Sequence, residues 1–427
     1  MRLLFRSALI AAALIAASCN SAHEDGEIQL RISNWGGAGE DGEFEKLVQG
    51  FYRDFERQNP GVKIKIEGIP DGYVPKMMLN FVAGTEPDLM TVDASSAAIF
   101  INNGVLDDLA PYIEKDPDFD LDVFFPNVLD IGRRGEKLYT IASDFTPMVM
   151  YYNKRLFDEA GIPYPKAGWT FDQFRQTAER LTDESKGRKG FVLSNWMPGW
   201  VMWLWNNSGE VMSPDGTKAS GYLNSPENVE AVTFLRDLVT KYKVAPALSQ
   251  VAAQGVDPFA SGDAAMTISG HWALVGYKNP PKKNGKPAID WEQLGVVQLP
   301  HNTPRSHTVM YSSGYGITKN SKNKEIAWKF IRTWTSFKLQ QAYNKSGIAI
   351  SGRRDVAQSL ATTPVEKQFL AIVPSARPPA GSRIEGYELV ETMGRKAMDT
   401  ILNQPSSSVK AALDKAAARI DHEFAKR

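Results

Sequence analysis

The chain has 427 residues, with 49 Lys and Arg against 49 Asp and Glu, 43% hydrophobic and 10% aromatic residues, and one cysteine. This balance provides no basic stripe for nucleic acid and no polybasic patch for a membrane surface, so neither partner is expected. The apolar fraction is that of a globular protein, and the length exceeds one typical hydrophobic core, so two large domains are expected.

The chain opens on a short basic segment, Met1-Arg2-Leu3-Leu4-Phe5-Arg6, followed by an apolar run from Ala8 to Ala17. That run is about ten residues, half of the roughly 20 needed to span a bilayer, so residues 1–18 read as a secretory signal peptide and not as part of the fold. Ala16-Ala17-Ser18-Cys19 is similar to a bacterial lipobox. Cleavage before Cys19 would free its thiol for a diacylglycerol and tether the exported chain, in the periplasm or at the cell surface. Ala16 stands where Leu is commonest, so ordinary cleavage after Ser18 or Ala22 stays open. With no second cysteine there is no intrachain disulfide. Loss of residues 1–18 removes Arg2 and Arg6 and no acid, so 49 basic residues become 47 against 49 acidic ones.

From Ile28 onward strand and helix patterns alternate. Ile28, Leu30 and Ile32 have strand periodicity, and Phe44, Leu47, Val48, Phe51 and Phe55 recur at helical spacing until Asn59-Pro60-Gly61. Val62, Ile64 and Ile66 form a second strand, Lys76 to Val82 a helix, and Asp88 to Val92 a third strand, so parallel βαβ pairing is predicted. In open α/β sheets ligands lie beyond the carboxyl ends of the strands, where this chain carries Trp35-Gly36-Gly37 and Asp93-Ala94-Ser95.

A second α/β lobe is expected to begin near Tyr139 to Tyr152. Lys137 to Ile141 and Met148 to Tyr152 read as strands crossing between lobes. Thr170 with Gln173 makes a capping box for a helix over Phe171 to Leu181, and Ser225-Pro226 caps a helix over Val229 to Tyr242. The expected division is residues 23–142 plus 319–375 for one lobe and 143–318 plus 376–427 for the other. More than one crossing between them suits a hinge.

Several stretches in this order carry a family resemblance: Glu86-Pro87-Asp88-Leu89, Asn103 to Leu109, Tyr152 to Phe157 with Ala160-Gly161, Gly168-Trp169-Thr170-Phe171-Asp172, Phe259 to Met266 with Gly270-His271-Trp272, and Lys322 to Phe330 leading into a helix over Ile331 to Trp334. Together they resemble the family 1 extracellular solute-binding proteins of ABC importers, which include maltose- and trehalose-binding proteins. The resemblance covers nearly the whole mature chain. It implies an α/β, two-lobed periplasmic-binding-protein fold with a hinged interlobe cleft. It further implies a carbohydrate ligand, no catalysis, no cofactor, and docking of a monomer on the transmembrane subunits of an ABC permease. Two departures stand near the cleft edges: Thr140-Ile141-Ala142 where members often carry Gly-Ile-Pro, and Ile350-Ser351 before Gly352-Arg353-Arg354 where they often carry a proline.

A sugar offers hydroxyls at its edge and C–H patches on its faces, so its site needs aromatic planes beside carboxylates and amides. Trp196 lies between the predicted strand Phe191-Val192-Leu193 and a helix and is a candidate stacking platform, as is Trp200; Trp203 and Trp205 read as helix core. Trp272 follows a strand across Ser269-Gly270-His271, where Gly270 permits close approach. The segment Ser312-Ser313-Gly314-Tyr315-Gly316 is either a plain bulge or a site offering Ser313, Gly314 and Tyr315 to the ligand, as the resemblance implies. Asp93 and Asp144 are candidates for sugar hydroxyls, and one of Arg353 and Arg354 for a donor. Glu40 and Asp41 read as an acidic pair at a helix start.

The histidines lack second ligands at metal spacing, so no metal is expected. The Gly36, Gly37 and Gly39 cluster lacks the Lys-Ser/Thr pair of a nucleotide loop. Two rivals keep some of the same residues. A glycoside hydrolase would also line a cleft with carboxylates and aromatics, but no Gly-x-Ser-x-Gly elbow or zinc helix appears. A glycerol-phosphate-ester binder of the same fold would require a strongly basic cleft, for which only Arg353 and Arg354 stand out.

Overall fold

The computed structural model describes residues 27–35, 43–254, 257–283, 286–345, 347–404 and 406–426. The signal segment, Cys19, Gly37, Glu40 and Asp41 lie outside the described residues. The chain builds β1 (Ile28–Asn34), α1 (Glu43–Gln58), β2 (Val62–Gly68), α2 (Tyr73–Ala83) and β3 (Leu89–Asp93). As predicted, β1 runs parallel to β2 on one side and to β3 on the other. Leu30 and Ile32 of β1 are fully buried against Val48, Phe51 and Phe55 of α1, the core-facing stripe of that helix. The helix ends where the buried Asn59 side chain donates to the Phe55 carbonyl at 2.7 Å and Gly61 turns the chain at φ 84°.

Further along come β4 (Ile141–Pro147), β5 (Val149–Asn153), α3 (Phe171–Leu181), α4 (Met197–Trp205), α5 (Pro226–Thr240), β6 (Met266–Ser269), α6 (Ala273–Lys278), β7 (Leu294–Val297) and β8 (Thr308–Ile317). The remaining principal elements are α7 (Lys324–Trp334), α8 (Phe337–Lys345), β9 (Ile350–Ser351), α9 (Pro364–Ile372), β10 (Ala376–Arg377), α10 (Tyr387–Asn403) and α11 (Val409–Phe424). A 7-stranded sheet runs β9-β4-β8-β3-β1-β2, with β10 alongside β8. A 3-stranded antiparallel sheet runs β7-β5-β6. Each sheet anchors a core of its own, giving two lobes, and a third buried cluster joins Met90 and Val92 of β3 to Val149 and Tyr151 of β5 between them.

Strands β4 and β8 pair antiparallel and cross between the lobes. Val309, near the start of β8, packs in the core around α4, whereas Ile317 at its end packs in the core around α1. The expected boundaries at 142/143 and 318/319 thus fall inside β4 and just past the end of β8. The predicted caps form. Gln173 N donates to Thr170 Oγ1 at 3.2 Å while Thr170 N donates to Gln173 Oε1 at 2.9 Å, and Asn228 N donates to Ser225 Oγ at 3.2 Å. The strand expected at Phe191 to Leu193 reduces to one bridge, Val192 to Thr267.

Candidate functional site

The carboxyl ends of β1 and β3 bring Trp35 and Asp93 to one edge of the first lobe. Trp35 is 36% exposed, and its ring centroid lies 5.9 Å from that of Tyr73 on α2. Tyr73 is locked beneath it: its hydroxyl donates to the Thr91 carbonyl and accepts from Ser33 Oγ, both at 2.9 Å. Asp93 Oδ1 accepts from Ser96 N at 2.7 Å and from Ser96 Oγ at 2.6 Å, which fixes the turn after β3.

Asp144 faces Ser313 across the β4–β8 pair. Its Oδ1 accepts from Ser313 Oγ at 2.7 Å and its Oδ2 accepts from Tyr343 at 3.0 Å. Burial pushes its carboxyl above the usual range, opposed by those two hydrogen bonds. The protein therefore supplies a donor to each oxygen of Asp144, and the Ser313 backbone adds to them.

The opposite wall is aromatic. Trp196, the residue before α4, is 39% exposed. Its ring stands edge-on to Trp272 at 6.0 Å and stacks with Tyr311 at 6.5 Å and 22°. Two glycines seat these indoles. A Cβ on Gly270 would lie 2.2 Å from the Trp272 ring, and one on Gly199 would lie 2.5 Å from the Ser194 carbonyl and 3.1 Å from Trp196. The close approach at Gly270 is thus to the indole of its own loop.

Tyr311 joins the two walls. Its hydroxyl is buried without a well-formed hydrogen bond, and the polar groups facing it are Glu391 and Tyr387 of α10 and Asp93 and Ser95 of the first lobe. Burial, then Asp93, then Glu388 push the Glu391 carboxyl up to about 7. The structure thus brings together Trp35, Asp93, Ser95, Asp144, Trp196, Gly270, Trp272 and Ser313. Tyr73, Tyr311, Tyr343 and Glu391 were missed. Tyr311 had a signal, standing one period-two step before Ser313, whereas nothing in the pattern of α10 marks Glu391.

Four candidates are corrected. Trp200 is 1% exposed, packs in the core of the second lobe and lies against Gly394, so it has no face to offer. Its helix is buried on every side. Tyr315 shares a strand face with Ser313, but there α7 roofs the sheet, with the Phe330 ring at 5.4 Å and Trp334 at 5.8 Å. Gly314 sits at a bulge in the pairing of β8 with β4, where a Cβ would lie 2.2 Å from the Ile141 carbonyl, so its close approach is to protein backbone. Arg353 pairs with Asp355 at 2.7 Å, donates to the Thr335 carbonyl at 3.2 Å and lies between the rings of Phe124 and Phe337. Arg354 donates to the Asp122 carbonyl at 2.7 Å. Neither arginine is placed with the cleft residues.

Among the described residues no group of three metal-ligating side chains occurs and no helix is long and apolar enough to cross a membrane. His271 makes contacts to the Gly347 carbonyl at 3.0 Å and to Glu366 at 2.9 Å.

Comparison with known proteins bears on the fold and the family. A binding protein of Brucella abortus (strain 2308) is 25% identical over 436 residues, covering 97% of this chain and 98% of its own. The mannitol-binding protein of Pseudomonas aeruginosa is 24% identical over 345 residues, covering 77% and 74%. Among solved structures, the ABC substrate-binding protein from Listeria monocytogenes in complex with cycloalternan superposes with a TM-score of 0.78 at 26% identity, covering 93% of this chain and 99% of that one. The family model for bacterial extracellular solute-binding proteins matches residues 37–341, and the chain belongs to that family.

Proposed function

We propose that this protein captures a carbohydrate, a disaccharide or short oligosaccharide, between its two lobes and delivers it to an ABC permease. One observation carries the reading: indoles on both lobes, the exposed Trp35 on one and the exposed Trp196 with the half-buried Trp272 on the other, stand on the two sides of the carboxyls of Asp93 and Glu391. Aromatic planes suit sugar C–H faces and carboxylates suit hydroxyl edges. Relatives said to bind mannitol and cycloalternan support a polyhydroxylated ligand.

On this reading the lobes divide about β4 and β8, which act as hinge strands, and ligand bridging both lobes stabilises the closed form. The chain acts as a monomer without catalysis, exported and tethered through a lipid on Cys19. The phosphate-ester alternative has lost its residues, since Arg353 and Arg354 are held elsewhere.

A thermal-shift screen against mono- and disaccharides, followed by calorimetry on the hit, tests the proposal. Trp272→Ala should weaken binding at least tenfold, about 1.4 kcal/mol, while the ligand-free unfolding midpoint moves little. Unchanged affinity in that variant removes Trp272 from the site, and release of new reducing ends from oligosaccharides overturns the transport reading.

A further inference from the structure

Apart from the cleft, a cavity of about 280 Å³ opens among α6, the end of α8, β9 and the start of α9. Trp35, Asp93, Trp196, Trp272 and Tyr311 do not line it. Its wall holds Lys278 and Lys345, with His271 and Glu366 tied to each other at 2.9 Å. Lys278 lies over the Trp291 ring, 4.8 Å from the centroid, and neither lysine has an ion-pair partner among the described residues. Two ammonium groups against the carboxylate of Glu366 leave the cavity one positive charge in excess when His271 is neutral. The first turn of α9, capped by Thr363, adds its N-terminal dipole at the same wall.

Asn344 provides the second observation. It is 7% exposed and lines this cavity; its Nδ2 donates to the Gln340 carbonyl at 2.7 Å, but its Oδ1 has no hydrogen-bond partner. Buried acceptors are nearly always satisfied, so this one calls for a donor from an occupant. A hydroxyl meets that demand, and an acid group meets the lysines.

We propose that this cavity, where Asn344 Oδ1 stands with Lys278 and Lys345, is a second ligand site for a small hydroxylated monoanion such as a sugar acid. The carboxylate sits between the two ammonium groups, and a hydroxyl donates to Asn344. The volume admits a molecule about the size of one sugar unit.

The test is titration calorimetry on the mature chain with D-gluconate as probe, and D-glucose and acetate as controls. Gluconate should bind, and Lys278→Met with Lys345→Met should lower its affinity at least tenfold, with both changes at exposed positions that leave the fold intact. Asn344→Leu, checked for folding by circular dichroism, should weaken gluconate and not acetate. Trp272→Ala should leave gluconate binding unchanged, which separates this site from the carbohydrate cleft whether or not that cleft reading survives. The proposal is overturned by absence of gluconate binding at millimolar concentration, by binding indifferent to the lysine pair, by acetate binding as tightly as gluconate, or by loss of gluconate binding in Trp272→Ala.

Discussion

Replacing Glu391 with Gln tests the electrostatics of the interlobe cleft most directly. Burial is the leading cause of the upward displacement of this carboxyl, with Asp93 across the cleft and Glu388 on its own helix adding like charge. Its carboxyl stands at about 7 instead of an ordinary 4.5, so between those values the folded chain holds a proton that the unfolded chain has released. Stability from this group is fully present below pH 4.5 and is lost as pH rises through about 7. At about 1.36 kcal/mol for each tenfold change in proton affinity, Glu391 should remove about 2 to 3 kcal/mol between about pH 5 and about pH 8. Glutamine carries no charge at any pH, so the variant should lose that part of the decline. Urea unfolding of the ligand-free parent and variant across this range measures the difference. Parallel pH profiles for the two proteins would refute the placement of Glu391 in a buried acidic corner.

Trp200→Ala should destabilise the chain by about 3 to 5 kcal/mol, because a large fully packed indole leaves a cavity, and thermal unfolding reads it directly. Sugar affinity of the folded fraction should stay at the parent value, and selective loss of binding at unchanged stability would return Trp200 to the cleft. Gly314→Ala forces a Cβ to within 2.2 Å of the Ile141 carbonyl, so β8 must part from β4. A marked fall in unfolding midpoint is expected, and a variant as stable as the parent would show that the bulge has room. Arg353→Ala should lower stability by about 1 kcal/mol through loss of its pair with Asp355 and leave sugar affinity unchanged. Calorimetry showing weaker binding would place the arginine at the ligand after all.

The first lobe was legible because its signals are local. Alternation in Ile28 to Ile32, the stripe from Val48 to Phe55 and the stop at Asn59-Pro60-Gly61 each act within one element, and the observed elements follow them. Trp272 was legible for the same reason: a position just past a strand with Gly270 beside it marks an aromatic ring that stands at an edge, whereas the strand expected before Trp196 reduces to a single bridge. The capping box at Thr170 and the proline after Ser225 likewise act over three or four residues.

Period-two alternation states which residues share a face, but not what covers that face. Ser313 and Tyr315 lie on the same side of β8, and only the packing of α7 makes one line the cleft while the other is core. Trp200 was a candidate stacking platform, yet α4 is enclosed by neighbours from other parts of the chain, α5 and α10 among them. Glu391 reaches Asp93 because α10, near the end of the chain, packs its own lobe against a strand end formed near the beginning. Local propensity and spacing therefore decided the elements, the α/β class and the loops that carry the indoles. Long-range packing, which sets burial and with it each group's charge and access, decided which side chains meet across the cleft.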